Sequence, residues 1–149
     1  MKQNEGMTLI VKTVTRVSVW LIFLYGIYII LHGHLTPGGG FAGGVVLALG
    51  FLNIMLAYGR KYVEGWLNIK LMKDIESSMA TLFLALGILG MSFGGGLLAN
   101  FLSKGELFRL LSSGTIPILN ILIGTKVSMA LFVVIYSLAV LHIVKGGEK

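Results

Sequence analysis

Four long apolar runs, at residues 13–31, 41–58, 79–101 and 127–144, alternate with shorter polar stretches, and a further apolar piece at 116–125 leads into the last run. A run of about 18 or more apolar residues is long enough, as a helix, to cross the ~30 Å hydrocarbon core of a bilayer. The pattern therefore predicts an all-α integral membrane protein with four transmembrane helices. No repeat at a fixed period and no low-complexity linker interrupts it, so residues 1–149 read as a single membrane domain. The largest polar connection, 59–78, holds Arg60, Lys61, Glu64, Lys70, Lys73, Asp74 and Glu76. Within it, residues 66–73 mix apolar side chains with lysines, which suits a short helix in the headgroup region or a plain loop. Asp74 and Glu76, just ahead of the third run, favour a helix N-terminus there, because anions stabilise that end.

Composition and charge add a topology. The chain is 56% hydrophobic and 12% charged, with a mean hydropathy of +0.90, whereas soluble domains carry about 25% charged residues. With four spans, both termini and residues 59–78 share a side carrying Lys2, Lys12, Arg16, Arg60, Lys61, Lys70, Lys73, Lys145 and Lys149. The other side has Lys104, Arg109 and, at its edge, Lys126. This asymmetry places both termini in the cytoplasm and makes the chain a multi-pass protein of the cell membrane. The net charge of +6 is thus explained by topology, and no basic face with interleaved aromatics speaks for nucleic acid. Cysteine is absent, which excludes disulfides, Cys-ligated zinc, iron–sulfur ligation and thiol catalysis by these residues. The first run follows Lys12 and Arg16 as a signal peptide would. No small-x-small cleavage site comes after it and further runs do, so it is read as retained.

The turn between the first two runs is the densest local signal: His32-Gly33-His34-Leu35-Thr36-Pro37-Gly38-Gly39-Gly40-Phe41-Ala42-Gly43-Gly44. It faces outward under the topology above. Pro37 suits the first helical position, and the glycines allow close backbone approach. Small residues recur every four positions at Gly40, Gly44 and Ala48, at Gly90 and Gly94, and at Gly95 and Ala99. In lipid such faces let helices approach and gain van der Waals contact, within a chain or between subunits. The turn also spells G-x-G-x-x-G at Gly38, Gly40 and Gly43, but it follows a hydrophobic helix rather than a strand, which argues against a dinucleotide site. His32 and His34 diverge if helical, no acid lies near them, and His142 belongs to the opposite membrane face. Neither a metal nor a cofactor is called for.

Lys126 poses the sharpest question, since an ionisable group within a span is a functional candidate by default. If Gly124 breaks the chain, Lys126 sits near the outer boundary as an anchor; if residues 116–144 form one helix, it lies much deeper. Asn120 is a polar partner for a neighbouring helix. All six acids (Glu5, Glu64, Asp74, Glu76, Glu106, Glu148) fall in polar regions. Proton- and sodium-coupled carriers generally use intramembrane carboxylates, so the chain is a poor pump on its own. No nucleophile–base or metal constellation marks it as an enzyme.

The block His34-x-x-Pro37-Gly38-Gly39-Gly40-Phe41-x-Gly43-Gly44, followed by Asn120-x-x-x-Gly124-x-Lys126-Val127, resembles the B subunit of Mrp-type multisubunit sodium/proton antiporters. A related domain occurs in archaeal membrane-bound hydrogenase and sulfur-reducing complexes that carry an Mrp-like sodium module. The resemblance covers essentially the whole chain. It implies a small accessory subunit, non-catalytic itself, embedded among other membrane subunits whose ion-translocating Lys and Glu residues move Na+ and H+. Lys126, Asn120 and His34 are then candidates for an ion pathway or for pairing with a partner. Pro37, Gly38, Gly39, Gly40, Gly43, Gly44, Gly90 and Gly94 are candidates for the turn and for helix packing. The alternative from the residues alone is a small homo-oligomeric pore with rings of Lys126.

Overall fold

The computed structural model describes residues 6–93, 95–102 and 113–146, with side chains up to residue 141. The described residues form α1 (Leu9–His32), α2 (Gly39–Tyr58), α3 (Arg60–Trp66), α4 (Ile69–Ser92) and α5 (Ile116–Gly146). Of these α1, α2, α4 and α5 as far as Leu141 are long and apolar enough to cross a membrane. The long helices lie in a row, α1 against α2, α2 against α5 and α5 against α4, with a minor α1–α5 contact. The start of α1, the end of α2 and α3 meet at one end, where Met7 N–H donates to the Ala57 carbonyl and the Tyr58 hydroxyl to that of Lys12. The glycine turn closes the other end.

Several boundaries differ from those the sequence pattern predicts, each for a local reason. Helix α4 begins at Ile69, ten residues before the third apolar run, because Asn68 caps it: its side-chain oxygen accepts from Lys70 N–H at 3.0 Å and Leu71 N–H at 3.3 Å. A capped N-terminus satisfies otherwise orphaned donors, so residues 66–73, read as a short headgroup helix or a plain loop, are instead split between α3, a two-residue link and α4. Asp74 and Glu76 consequently lie inside the helix rather than at its start. The same helix ends at Ser92, and residues 95–102 are not helical. Gly90 meets the backbone of Ala99 on the returning chain, with a β-carbon there 2.8 Å from Ala99 N. Gly94 and the loop holding Lys104 and Arg109 lie outside the described residues. Pro37 stands ahead of α2 rather than at its first position, since Gly38 is the N-cap and Gly39 the first helical residue.

Gly124 does not break α5. The helix is continuous for 31 residues, about 46 Å at 1.5 Å per residue, longer than the ~30 Å hydrocarbon core and so tilted or protruding. Its glycine serves close packing instead. A β-carbon on Gly124 would lie 2.5 Å from Ile30 Cδ1 and 3.2 Å from the Gly40 carbonyl. Reciprocally, one on Gly44 would lie 2.6 Å from the Gly124 carbonyl and 2.9 Å from Val127 Cβ. On its other flank α2 meets α1 through Gly43, whose β-carbon would lie 2.8 Å from the Gly26 carbonyl. Ala48 on the same helix is buried. At the far end Met55, Val63, Met72, Phe132 and Val133 form an apolar cluster uniting α2, α3, α4 and α5, with Phe51 tilted against Phe132 at 5.7 Å.

Gly44→Ala is expected to lower the thermal midpoint, because the methyl group would press on backbone that cannot give; overpacking of this kind costs about 1–3 kcal/mol. Gly65→Ala, where a β-carbon meets nothing within 4 Å, is expected to be neutral or mildly stabilising. Circular dichroism melts in detergent compare the two.

Candidate functional site

The glycine turn is built on one carbonyl. That of His32 accepts Leu35 N–H at 2.8 Å, Thr36 N–H at 2.9 Å and the Thr36 hydroxyl at 3.1 Å. This satisfies an orphan acceptor at the end of α1. The chain then passes Pro37 and turns into α2 through Gly38 and Gly39, whose φ values of +145° and +83° belong to conformations that only glycine adopts cheaply. A side chain at Gly33 would strike the Cα of Gly39. Beneath the turn lies Asn120: its amide is placed against Gly33 and Gly39, and its backbone carbonyl against Gly40. The two sequence blocks, 34–44 and 120–127, thus meet in space. His34 is half-buried at this junction. His32 instead folds back along α1, stacking on Tyr28 at 4.2 Å with Nδ1 3.1 Å from the Tyr28 carbonyl.

Lys126, although in the second block, points elsewhere. It lies six residues along α5 from Asn120, about 9 Å of rise and on another face. Its ammonium nitrogen is 3.7 Å from Glu76 Oε1 on α4. Lys126 is ten residues from Ile116 and fifteen from Leu141 within that candidate span, about 15 Å and 22 Å of helix. Glu76 is seven residues into α4, about 10 Å. The expectation that every acid falls in a polar connection is corrected in one respect: Glu76 lies inside a helix long and apolar enough to cross a membrane. An apolar run that begins at Met79 hides it. The signal is nevertheless present in Asn68 followed by apolar Ile69, Met72, Ile75 and Met79, a helical period that runs past the charged residues. Charges within a span almost always pair, and face a bundle interior or a watery cavity. Here the side chains remain 42% and 29% exposed, on a face of the α4–α5 pair that the described residues do not cover.

A second carboxylate, Glu64, is held quite differently. On the short helix α3 it accepts from Arg60 Nε at 2.5 Å, an i,i+4 pair, and from the Tyr136 hydroxyl of α5. The Arg60 guanidinium also lies 5.9 Å from the Tyr136 ring centre. The Tyr136 hydroxyl, and after it Arg60, hold the Glu64 carboxyl below its ordinary value of 4.5. This network ties α3 to α5 at the end opposite the turn. Its only trace in the sequence is the Arg60-x-x-x-Glu64 spacing.

Comparison with known proteins places these features in a family context. The domain related to the MnhB subunit of the Na+/H+ antiporter matches residues 10–133, which include both sequence blocks. An uncharacterized protein of Methanocaldococcus jannaschii is 38% identical over 116 residues, 74% of this chain and 44% of that protein. A putative antiporter subunit, mnhB2, of Staphylococcus saprophyticus is 43% identical over 63 residues, 42% of this chain and 43% of that protein. A chain of the membrane-bound sulfane sulfur reductase, an archaeal respiratory membrane complex, has a similar structure, with a TM-score of 0.74 at 30% identity. That match covers 93% of this chain and 62% of the reductase chain. The matches therefore span less than half the length of the M. jannaschii and S. saprophyticus relatives.

A carboxylate held below 4.5 stabilises the fold above that value, and its contribution is lost as pH falls through the lowered range. Thermal melts at neutral pH and well below 4.5 test this for Glu64. Tyr136→Phe and Glu64→Gln are expected to reduce the midpoint at neutral pH and to flatten the loss on acidification relative to the unsubstituted protein.

Proposed function

Because this chain belongs to the family of domains related to the MnhB subunit of Na+/H+ antiporters, we propose that it is an accessory, non-catalytic membrane subunit of a multisubunit cation/proton antiporter module. The match over residues 10–133 carries this reading. Its likeness to a chain of an archaeal respiratory complex supports a module that works either alone or joined to a redox complex. Na+ and H+ are then handled by the assembly, with the large neighbouring subunits moving them and this chain supplying structure and charge between them. The basic bias of the predicted loops supports a reading with both termini in the cytoplasm and the glycine turn outside.

The row of helices leaves two long outer faces that lipid or neighbouring subunits can cover. The outer face of α1 exposes Leu9, Ile10, Trp20 and Leu24, and that of α4 exposes Leu84 and Ile88. The outer side of the turn over Asn120 exposes Leu35, Thr36, Pro37 and Phe41, the surface against which neighbouring helices seat. His34 and Asn120 orient that surface, while Lys126 meets the ion-handling side of the assembly.

Purification from membranes in mild detergent tests the proposal. The chain is expected to migrate in a large assembly with other membrane subunits and to lose function when stripped from them. A stable homo-oligomer of this chain alone that conducts ions in planar bilayers would overturn it in favour of a self-contained pore.

A further inference from the structure

At the α3 end of the row, α1, α2 and α3 border a groove of about 230 Å³. Toward the helix ends it is lined by Arg16 of α1, Tyr58 of α2, and Tyr62 and Trp66 of α3; deeper, it is lined by Val19, Phe23 and Ile54. Phe23 is about 10 Å of helix beyond Arg16. Its ring centre is 5.0 Å from that of Phe51, and a β-carbon on Gly50 would lie 2.6 Å from it, so the α1–α2 seam is tight there. The groove is thus polar and aromatic near the helix ends and apolar within, the order of surfaces a phospholipid presents from head group to acyl chain.

Charge favours an anion. Arg16 is exposed and stands seven residues into a helix long and apolar enough to cross a membrane. Among the described residues no carboxylate pairs with it. An arginine placed there is costly against lipid tails alone and snorkels toward the interface, the direction in which the Cα–Cβ bonds of α1 tilt. Lys12, one turn earlier, holds its ammonium 5.9 Å from the Tyr58 ring centre, a second cation beside the groove. The Tyr62 hydroxyl and the Trp66 indole N–H have no hydrogen-bond partner among the described residues, and Thr15, 5% exposed, lines the same groove without one. Such rings pair an apolar body with a polar tip, which suits a membrane boundary.

We propose that this groove binds one anionic phospholipid. The phosphate sits on Arg16, whose planar fork suits a bidentate phosphate contact. Lys12 adds charge, and the Tyr62 and Trp66 donors face the rest of the head group. One acyl chain follows Val19, Phe23 and Ile54. Basic pockets between transmembrane helices are a general means of holding such head groups. A partner helix with its side chains is about 10–12 Å across and does not enter a groove of this volume, whereas an acyl chain does. The bound lipid braces α1 and α3 against α2 whichever ion the assembly moves, so its test does not depend on antiport.

Trp20 and Trp66 are the chain's two tryptophans and both line the groove, so their fluorescence reports its occupant. The full chain is reconstituted in vesicles of phosphatidylcholine and phosphatidylglycerol, with bromine on the acyl chains of one lipid or the other as quencher. The relative affinity from quenching is expected to favour phosphatidylglycerol about fivefold or more, the scale of one cation on an anionic lipid. Arg16→Gln is expected to remove most of that preference, and Lys73→Gln, which does not line the groove, none of it. Quenching that follows mole fraction alone, or a preference lost equally in Lys73→Gln, marks unspecific enrichment at a basic surface and overturns the proposal. If Arg16→Gln fails to fold, Ile54→Phe keeps every charge and fills the groove: loss of the preference supports the site, and its retention overturns it. In membranes holding the whole complex, photoreactive phosphatidylglycerol is expected to label residues of the groove. Labelling elsewhere on the chain but not there would mean that a neighbouring subunit fills it, and overturns the lipid reading.

Discussion

The arrangement depends on the backbone-to-backbone approach of α2 to the helices on either side. In lipid, burial gives helices little reason to associate, so contact distance and the dispersion it allows must do most of the work. Gly43 lets α2 close on Gly26 of α1, and Gly40 and Gly44 let it close on α5 at Asn120 and Gly124. These contacts fix the register of α5 to within a fraction of a turn, since Gly40 faces Asn120 and Gly44 faces Gly124 and Val127. Lys126 is carried on the same rigid rod and so has its depth and direction set by glycines that it does not touch. Glu76 is reached only after that, through α4 packed on α5. A side chain added at Gly44 would act on the pair at a distance, by displacing α5.

The two carboxylates show how placement gives one side chain different jobs. Glu64 is held by Arg60 at 2.5 Å on its own helix and by the hydroxyl of Tyr136, and both favour its charged form. It sits at the end of the bundle, where α3 needs an attachment to α5. Glu76 has a looser partner in Lys126 and lies within a candidate span, where an uncompensated charge would be costly. The first arrangement is saturated and suits a clasp. The second is longer and half-exposed, a loose contact at the border of α4 and α5.

Much of this is legible in the sequence, and the rest is hidden for identifiable reasons. The number of long helices follows from apolar run length alone, because the bilayer sets a minimum that is difficult to meet by accident. The glycine turn is legible as a special backbone, and Gly38 and Gly39 do take positive φ. The start of α4 is not, because a polar stretch looks like the end of a helix. Hydrogen bonding along a helix continues through charged residues, and Asn68 rather than the first apolar residue of the run decides where it begins. Gly124 is a natural candidate for a break by conformational freedom. Within a span, however, an unsatisfied backbone group costs several kcal/mol, so the helix stays intact and the glycine becomes a contact. The Glu76–Lys126 contact is illegible for a further reason: it joins residues 50 apart, and their proximity depends on the α2–α5 register.

A row of helices has consequences that a rounded bundle does not. Among the described residues each end helix has one main neighbour, so α1 and α4 leave most of their surface for something else. For α1 that surface is mainly apolar, and lipid or another helix would serve equally well. For α4 it is mainly apolar beyond Thr81; before that it carries Lys70, Lys73, Asp74 and Ser77 beside an exposed Leu71, with the Glu76–Lys126 pair at its border. Lipid is a poor neighbour for that half. Water or a polar subunit surface removes the cost, and a subunit surface that admits water does so while keeping the membrane sealed. The charges on α4 thus distinguish the two outer faces of the row: α1 is free to face the bilayer, whereas the first half of α4 and its border with α5 fit water or a polar partner surface.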